Sequence, residues 1–139
     1  MKVKVVLDEG AKMPIRAHKT DAGLDLYAMH NVVISPHKRA ILSSGCHFEI
    51  PVGYVGLLTS KSGLMAKQGL TSRGTIDAGY TGAVQVVLFN HSDKAVTIKK
   101  GEKISQLVIL PIITPELELV DSLEETERGT GGFGSTGKY

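Results

Sequence analysis

"GTIDAGYTGAVQVVLFN", residues 74–90, carries two signals in one stretch. Its first half spaces Gly74, Gly79 and Gly82 around Asp77 and Tyr80, the spacing of a hairpin bend. Its second half, "AVQVVLFN" (83–90), is a run of β-branched and aliphatic residues of strand length. Runs of the same kind recur on both sides: "KVKVVL" (2–7), "NVVIS" (31–35), "AIL" (40–42), "CHFEI" (46–50), "YVGLL" (54–58), "AVTI" (95–98), "ISQLVIL" (104–110) and "LELV" (117–120). Gly, Pro, Asp, Ser and Asn between them supply turn geometry. The pattern is all-β. Only "SGLMAKQG" (62–69) has apolar residues at helical spacing, enough for one short helix. Many short strands at this interval predict a sandwich, jelly roll or barrel, and periodicity alone leaves that choice open.

A chain of 139 residues fits one domain with a real core. The formal charge of +2, without a cluster of lysine or arginine, speaks against a nucleic-acid polymer as partner. Cys46 is the only cysteine, which excludes an internal disulfide or a multi-cysteine metal site, suits a reducing cytosol, and reads as a small buried residue. The longest apolar stretch, residues 107–113, is too short to span a bilayer and is broken by Pro111. "MKVKVVLDEG" alternates lysine with valine and reads as a strand, not a signal peptide, so the expected location is cytoplasmic with no membrane contact. The five histidines are scattered without the close pairing of zinc ligands, and no serine is marked as an activated nucleophile.

Four stretches depart from ordinary strand-and-turn sequence. In "TDAGLDLYA" (20–28), Asp21 and Asp25 either cap a turn, the commoner arrangement, or sit near a cation. "SKSGLM" (60–65) places a lysine, a hydroxyl and a glycine just before the helical stretch, where backbone N–H groups favour a phosphate or where a serine caps the helix. In the bend, Asp77 is either a turn former or a reactive carboxylate, and Tyr80 is placed for a base or sugar to stack on it. "RGTGGFGSTG" (128–137) is half glycine, a composition that stays mobile unless something binds it.

Taken in order, "DAGLDLYA", "SKSGLM", "GTIDAGYTG", "GEKISQLVI" and "RGTGGFGSTG" resemble the five motifs of the homotrimeric deoxyuridine triphosphate nucleotidohydrolases, the dUTPases, over Asp21 to Gly137. The resemblance implies a β jelly-roll subunit over residues 1–123, a flexible glycine-rich flap over 124–139, and a homotrimer whose active sites draw on all three subunits. The implied reaction is hydrolysis of dUTP to dUMP and pyrophosphate, which keeps uracil out of DNA and supplies dUMP for thymidylate synthesis. Asp77 matches the carboxylate that activates water against the α-phosphorus. Tyr80 matches the ring against the deoxyribose, where a 2'-hydroxyl has no room, and the backbone of the bend imitates a pairing partner for uracil.

By the same resemblance, Lys61, Ser62 and Gly63 contact phosphates, Gln106 binds near the α-phosphate, and Thr71, Thr75, Ile76 and Gln85 join the substrate-binding set. Phe133 covers the uracil while Arg128, Gly134, Ser135 and Thr136 close over the phosphates. Mg²⁺ rides on the triphosphate, with Asp25 as an outer-shell contact through water. Lys61 replaces a usual arginine, Thr71 a frequent asparagine, and Gly79 and Ala83 stand where many members carry acidic residues. A dCTP deaminase shares the fold, but "SGLM" and "IDAGY" look more like the hydrolase. A nucleotide-controlled regulatory binding role is a compatible addition.

Overall fold

The computed structural model describes residues 1–137; residues 138–139, the last two of the flap expected over 124–139, lie outside the described residues. In chain order the elements are β1 (Lys4–Leu7), β2 (Leu24–Tyr27), β3 (Val32–Ile34), β4 (Arg39–Ser43), β5 (Cys46–Glu49), β6 (Tyr54–Thr59), α1 (Ser62–Gln68), β7 (Leu70–Ile76), β8 (Gln85–Asn90), β9 (Val96–Ile98) and β10 (Lys103–Pro111). A six-stranded sheet runs β2-β10-β6-β7-β8-β4, and two small sheets pair β1 with β5 and β3 with β9. The strand pairings are antiparallel throughout. Their inner faces share one core, in which Leu26, Ile34, Leu88, Ile98, Ile104 and Leu107 are fully buried. This is the all-β architecture with one short helix that the sequence pattern predicts, in the jelly-roll-like form that the family resemblance implies.

β8 shows how the pattern becomes structure. Val86 and Leu88 point inward with Asn90 and are buried, while Gln85 and Phe89 face out, the period of two expected of a half-buried strand. Asn90 is polar yet fully enclosed, and the enclosure is tolerable because its amide is fully engaged. Nδ2 donates to the carbonyls of Ile34 (2.9 Å) and Lys94 (2.8 Å), and Oδ1 accepts from the Ser92 amide (2.9 Å) and hydroxyl (2.7 Å). Cys46 is buried as expected.

Two strands were not legible as runs. The inward positions of β7 include Ser72 and Gly74, so no apolar alternation marks it; Ser72 is satisfied by Ser105 Oγ at 2.8 Å across the core. In β2, Asp25 interrupts the run. Conversely, "LELV" forms no strand. Leu117 is 95% and Leu119 100% exposed, because no strand among the described residues covers their shared face. Among the described residues no helix is long and apolar enough to cross a membrane.

Candidate functional site

Asp25 on β2 pairs with Gln106 on β10, Gln106 with Thr59 on β6, and Thr59 with Arg73 on β7. Directly opposed residues of antiparallel strands point to one face, so these four form a row across the large sheet. A bulge in β10 between Lys103 and Ser105 decides what else joins it. Lys103 opposes Tyr27, and without the extra residue Lys103 and Gln106, three apart, would face opposite sides. With it, both stand beside Asp25.

Asp25 is 4% exposed, and its two oxygens accept from Lys61 Nζ at 2.5 Å and Lys103 Nζ at 2.7 Å. Burial alone would push its carboxyl up; the hydrogen bonds from Lys103 and Lys61 outweigh it and hold the group below its ordinary value. Hydrogen bonding to Asp25 in turn raises Lys103. Of the two arrangements open to Asp25, the cationic one is found and the turn cap is not. Asp21 takes the turn role, accepting from the His18 amide at 2.9 Å. Both carboxylates, Lys61 and Gln106 line a cavity of about 250 Å³. Gln106 lies over Gly23, where a Cβ would come within 2.9 Å of the Gln106 Cβ, and donates to the Ser60 carbonyl at 3.2 Å.

Ser62 and Gly63 begin α1 next to this cavity and are exposed. Lys61 is the N-cap, with no side-chain cap bond, so the capping role considered for a serine is not used. Ser60 instead braces β6 to β7, donating to the Ser72 carbonyl at 3.0 Å and accepting from its amide at 2.9 Å.

A second cluster surrounds the bend. β7 and β8 pair only from Leu70↔Asn90 to Ser72↔Leu88. Beyond that, Arg73–Ile76 pairs with β6, while the Val84 amide donates to the Cys46 carbonyl at 2.8 Å and its carbonyl accepts from the Ser44 amide at 3.0 Å. The two arms are drawn apart, and residues 77–83 form an open bend in place of a tight Asp-Gly turn. Asp77 is exposed at its start, and its carbonyl accepts from the Tyr80 amide at 3.2 Å. Gly79 has φ +89°, which L side chains rarely adopt. The Tyr80 hydroxyl donates to the Ala83 carbonyl at 3.2 Å, and the ring lies so close over Gly82 that no Cβ fits there. Thr75 and Ile76 lead into the bend and Gln85 leaves it. Thr71 is not brought to it: it sits on the β8-paired end of β7, with Oγ1 bonded to His91 Nε2 at 2.7 Å.

The third group, Arg128, Phe133, Gly134, Ser135 and Thr136, is exposed on the tail and joins neither cluster. Its hydrogen bonds among the described residues are internal, such as Arg128 Nε to the Gly131 carbonyl at 3.0 Å. The first two clusters also stand apart. Thr59↔Arg73 ends the β6–β7 ladder near Lys61, and Gly56↔Ile76 ends it near Asp77. At a strand rise of ~3.3 Å per residue, Lys61 and Asp77 are roughly 20 Å apart along it.

Residues 9–137 match the dUTPase family model. The chain belongs to the dUTPase family. It is 44% identical to the deoxyuridine 5'-triphosphate nucleotidohydrolase of Clostridium tetani, over 99% of this chain and 97% of that one. Its fold is similar to that of the Staphylococcus bacteriophage 80alpha dUTPase solved with dUPNHPP, with TM-score 0.93, 39% identity and 99% of both chains covered. A dUTPase mutant from phage phi11 of S. aureus, solved with a structural Mg(II) ion, aligns with TM-score 0.84 and 36% identity over 90% of this chain and 100% of that one. Within this dUTPase subunit, Lys103 is the residue of the Asp25 cluster that sequence reading missed. Simple alternation from Gln106 assigns it to the opposite face, and only the bulge reverses that.

Proposed function

We propose that the protein is a dUTP nucleotidohydrolase that converts dUTP and water to dUMP and pyrophosphate in sites shared between three copies of the chain. The observation that carries this reading is the open bend, with Asp77 exposed at its entrance and the Tyr80 ring held close over Gly82. Backbone donors and acceptors left free where β7 and β8 separate are available to the edge of a uracil. Tyr80 packs on the deoxyribose and leaves no space for a 2'-hydroxyl.

Asp77 orients a water and takes its proton as the oxygen attacks the α-phosphorus. The bond from that phosphorus to the α–β bridging oxygen breaks, and pyrophosphate departs. Lys61, with the exposed amides and hydroxyl of Ser62 and Gly63, faces the phosphates, and Gln106 lies toward the α-phosphate. The tail supplies the cover: Phe133 over the base, and Arg128, Gly134, Ser135 and Thr136 around the phosphates. Closure excludes water and orders glycines that are otherwise free.

The separation of roughly 20 Å along the β6–β7 ladder, together with a tail whose hydrogen bonds among the described residues are internal, supports sharing of sites. A bend from one copy, a phosphate cluster from a second and a tail from a third together make one complete site. The uncovered Leu117 and Leu119 face is suited to packing on a neighbouring copy in the same assembly.

Among the described residues no three acidic, histidine or cysteine side chains converge on a metal position. Mg²⁺ entering as part of a Mg–dUTP substrate fits this lining, since phosphate and water oxygens satisfy it. Asp25, already held by two lysines, is left at most a water-mediated contact. A cytoplasmic location agrees with a single buried thiol.

Incubation with each deoxynucleoside triphosphate and with UTP, in the presence of Mg²⁺, tests the reading. Pyrophosphate and monophosphate are expected from dUTP alone. Release of ammonia from dCTP, or no product from dUTP, would overturn it.

A further inference from the structure

His47 lies on β5, outside both clusters, yet it reaches the nucleoside-side bend. Its Nδ1 is 2.7 Å from the Thr81 carbonyl and its Nε2 is 3.0 Å from Asp8 Oδ1. Thr81 stands between Tyr80 and Gly82, and Asp8 follows β1, where its amide donates to the Gly45 carbonyl at 2.8 Å. A carbonyl and a carboxylate can only accept. A neutral imidazole has one N–H and can satisfy one of them; both bonds together require the imidazolium.

The bend otherwise has few ties to the body. Val84 is stitched to Ser44 and Cys46 at one foot and Ile76 to Gly56 at the other, while the Ala83 carbonyl accepts from the Tyr80 hydroxyl within the bend and from Gln85 Nε2 at the same foot as Val84. The Thr81 carbonyl bond to His47 is thus the tie at the far limb.

We propose that His47 is a positioning residue for nucleoside binding: as an imidazolium bridging Asp8 and the Thr81 carbonyl, it pins the bend that carries Asp77 and Tyr80 to the β1–β5 ribbon. The proposal rests on the reading of that bend as the deoxyuridine site. Hydrogen bonding to the Thr81 carbonyl and then to Asp8 raises the ring above its ordinary value, against a smaller effect of burial. The other charged groups around the adjoining cavity, Lys4 on β1 and Glu49 on β5, pair with each other at 2.9 Å and leave Asp8 as the counter-ion. The sign follows: the clamp is closed while the ring is charged and is lost as pH rises through its raised pKa. By linkage, a nucleotide that prefers the pinned bend must raise the same pKa by the same factor.

The test uses the full chain and dUMP as the probe. Histidine-ring NMR titration should place His47 above the ordinary value of about 6.5, and saturating dUMP should move it higher. dUMP affinity should fall on the order of five- to tenfold as the ring is deprotonated. In His47→Gln that fall disappears, and amide-exchange protection of Gly79–Gly82 is low at every pH, whereas in the parent it is high while the ring is charged and falls to the same level as pH rises. The phosphate of dUMP titrates identically in both proteins and cancels. Asp8→Asn serves as the second variant: it keeps the ring, lowers its pKa and shifts the affinity change to lower pH.

An unchanged His47 pKa on adding dUMP, or the same pH dependence in His47→Gln as in the parent, overturns the proposal. Absence of dUMP binding to the parent protein at every pH sinks the nucleotidohydrolase reading instead. Exchange protection of Gly79–Gly82 against His47 charge then still decides whether the clamp exists.

Discussion

Replacing Asp25 with asparagine keeps the shape of the side chain and removes its charge, leaving Lys61 and Lys103 converged on an amide. The Asp25–Lys61 bond, with the carboxylate 5% and the lysine 26% exposed, is a charge-assisted contact at 2.5 Å. Such bonds contribute about 1.5–3 kcal/mol, and full loss of a buried pair about 3–5 kcal/mol. Lys61 can swing into water, so the lower range applies, and a net loss of roughly 2 kcal/mol is expected. Lys103 is more exposed, and solvent screening makes its share small. For a domain of this size that corresponds to a fall in Tm of roughly 6–8 °C, compared at one protein concentration.

The pH dependence gives the sharper signature. The carboxyl lies below its unfolded value, so its contribution is complete above about pH 4–5 and is lost as pH falls through the folded pKa. Urea unfolding of both proteins between neutral pH and about pH 3 should therefore show a gap that is constant on the neutral side and narrows on the acid side. An Asp25→Asn protein as stable as the parent at neutral pH, or a gap that persists undiminished in acid, would refute the account of the two-lysine clamp.

Three further outcomes follow from the site. Asp77→Asn should bind a dUTP analogue but lose on the order of a hundredfold or more in turnover, measured by pyrophosphate release, because the general base is gone. Tyr80→Ala should raise hydrolysis of UTP relative to dUTP in a direct competition assay, since the ring over Gly82 no longer blocks a 2'-hydroxyl. A chain ending at Glu127 loses no strand and should unfold at the temperature of the full chain, yet turn over dUTP poorly. Loss of the Phe133 stack alone weakens nucleotide holding by roughly 1–3 kcal/mol.

The fold was legible wherever apolar residues faced one side. β8 and β10 announce themselves by their β-branched and aliphatic runs, and α1 by its spacing and by Gly69, whose φ of +67° closes it. It was illegible where the inward face is polar or bare, as at Ser72 and Gly74 of β7 and Asp25 of β2. "LELV" misled for the complementary reason: among the described residues its apolar face has no partner strand. In the candidate site, motif order named candidates, and the register decides which of them stand together. The bulge that turns Lys103 toward Asp25, the separation of β7 from β8, and the contact from His47 to Thr81 arise from long-range pairing that no local pattern encodes.

The central claim is that dUTP is hydrolysed in sites assembled from more than one chain, and mixing two inactive variants tests it most directly. Asp77→Asn chains retain the tail, and chains ending at Glu127 retain Asp77. Co-refolded at equal amounts from denaturant, they should form mixed trimers in which about a quarter of the sites, by random assortment in a closed cyclic assembly, combine an intact Asp77 with an intact tail. Pyrophosphate release from dUTP should then rise from near zero to about a quarter of the parent rate per chain. A mixture no more active than the sum of its separately refolded components would contradict the claim.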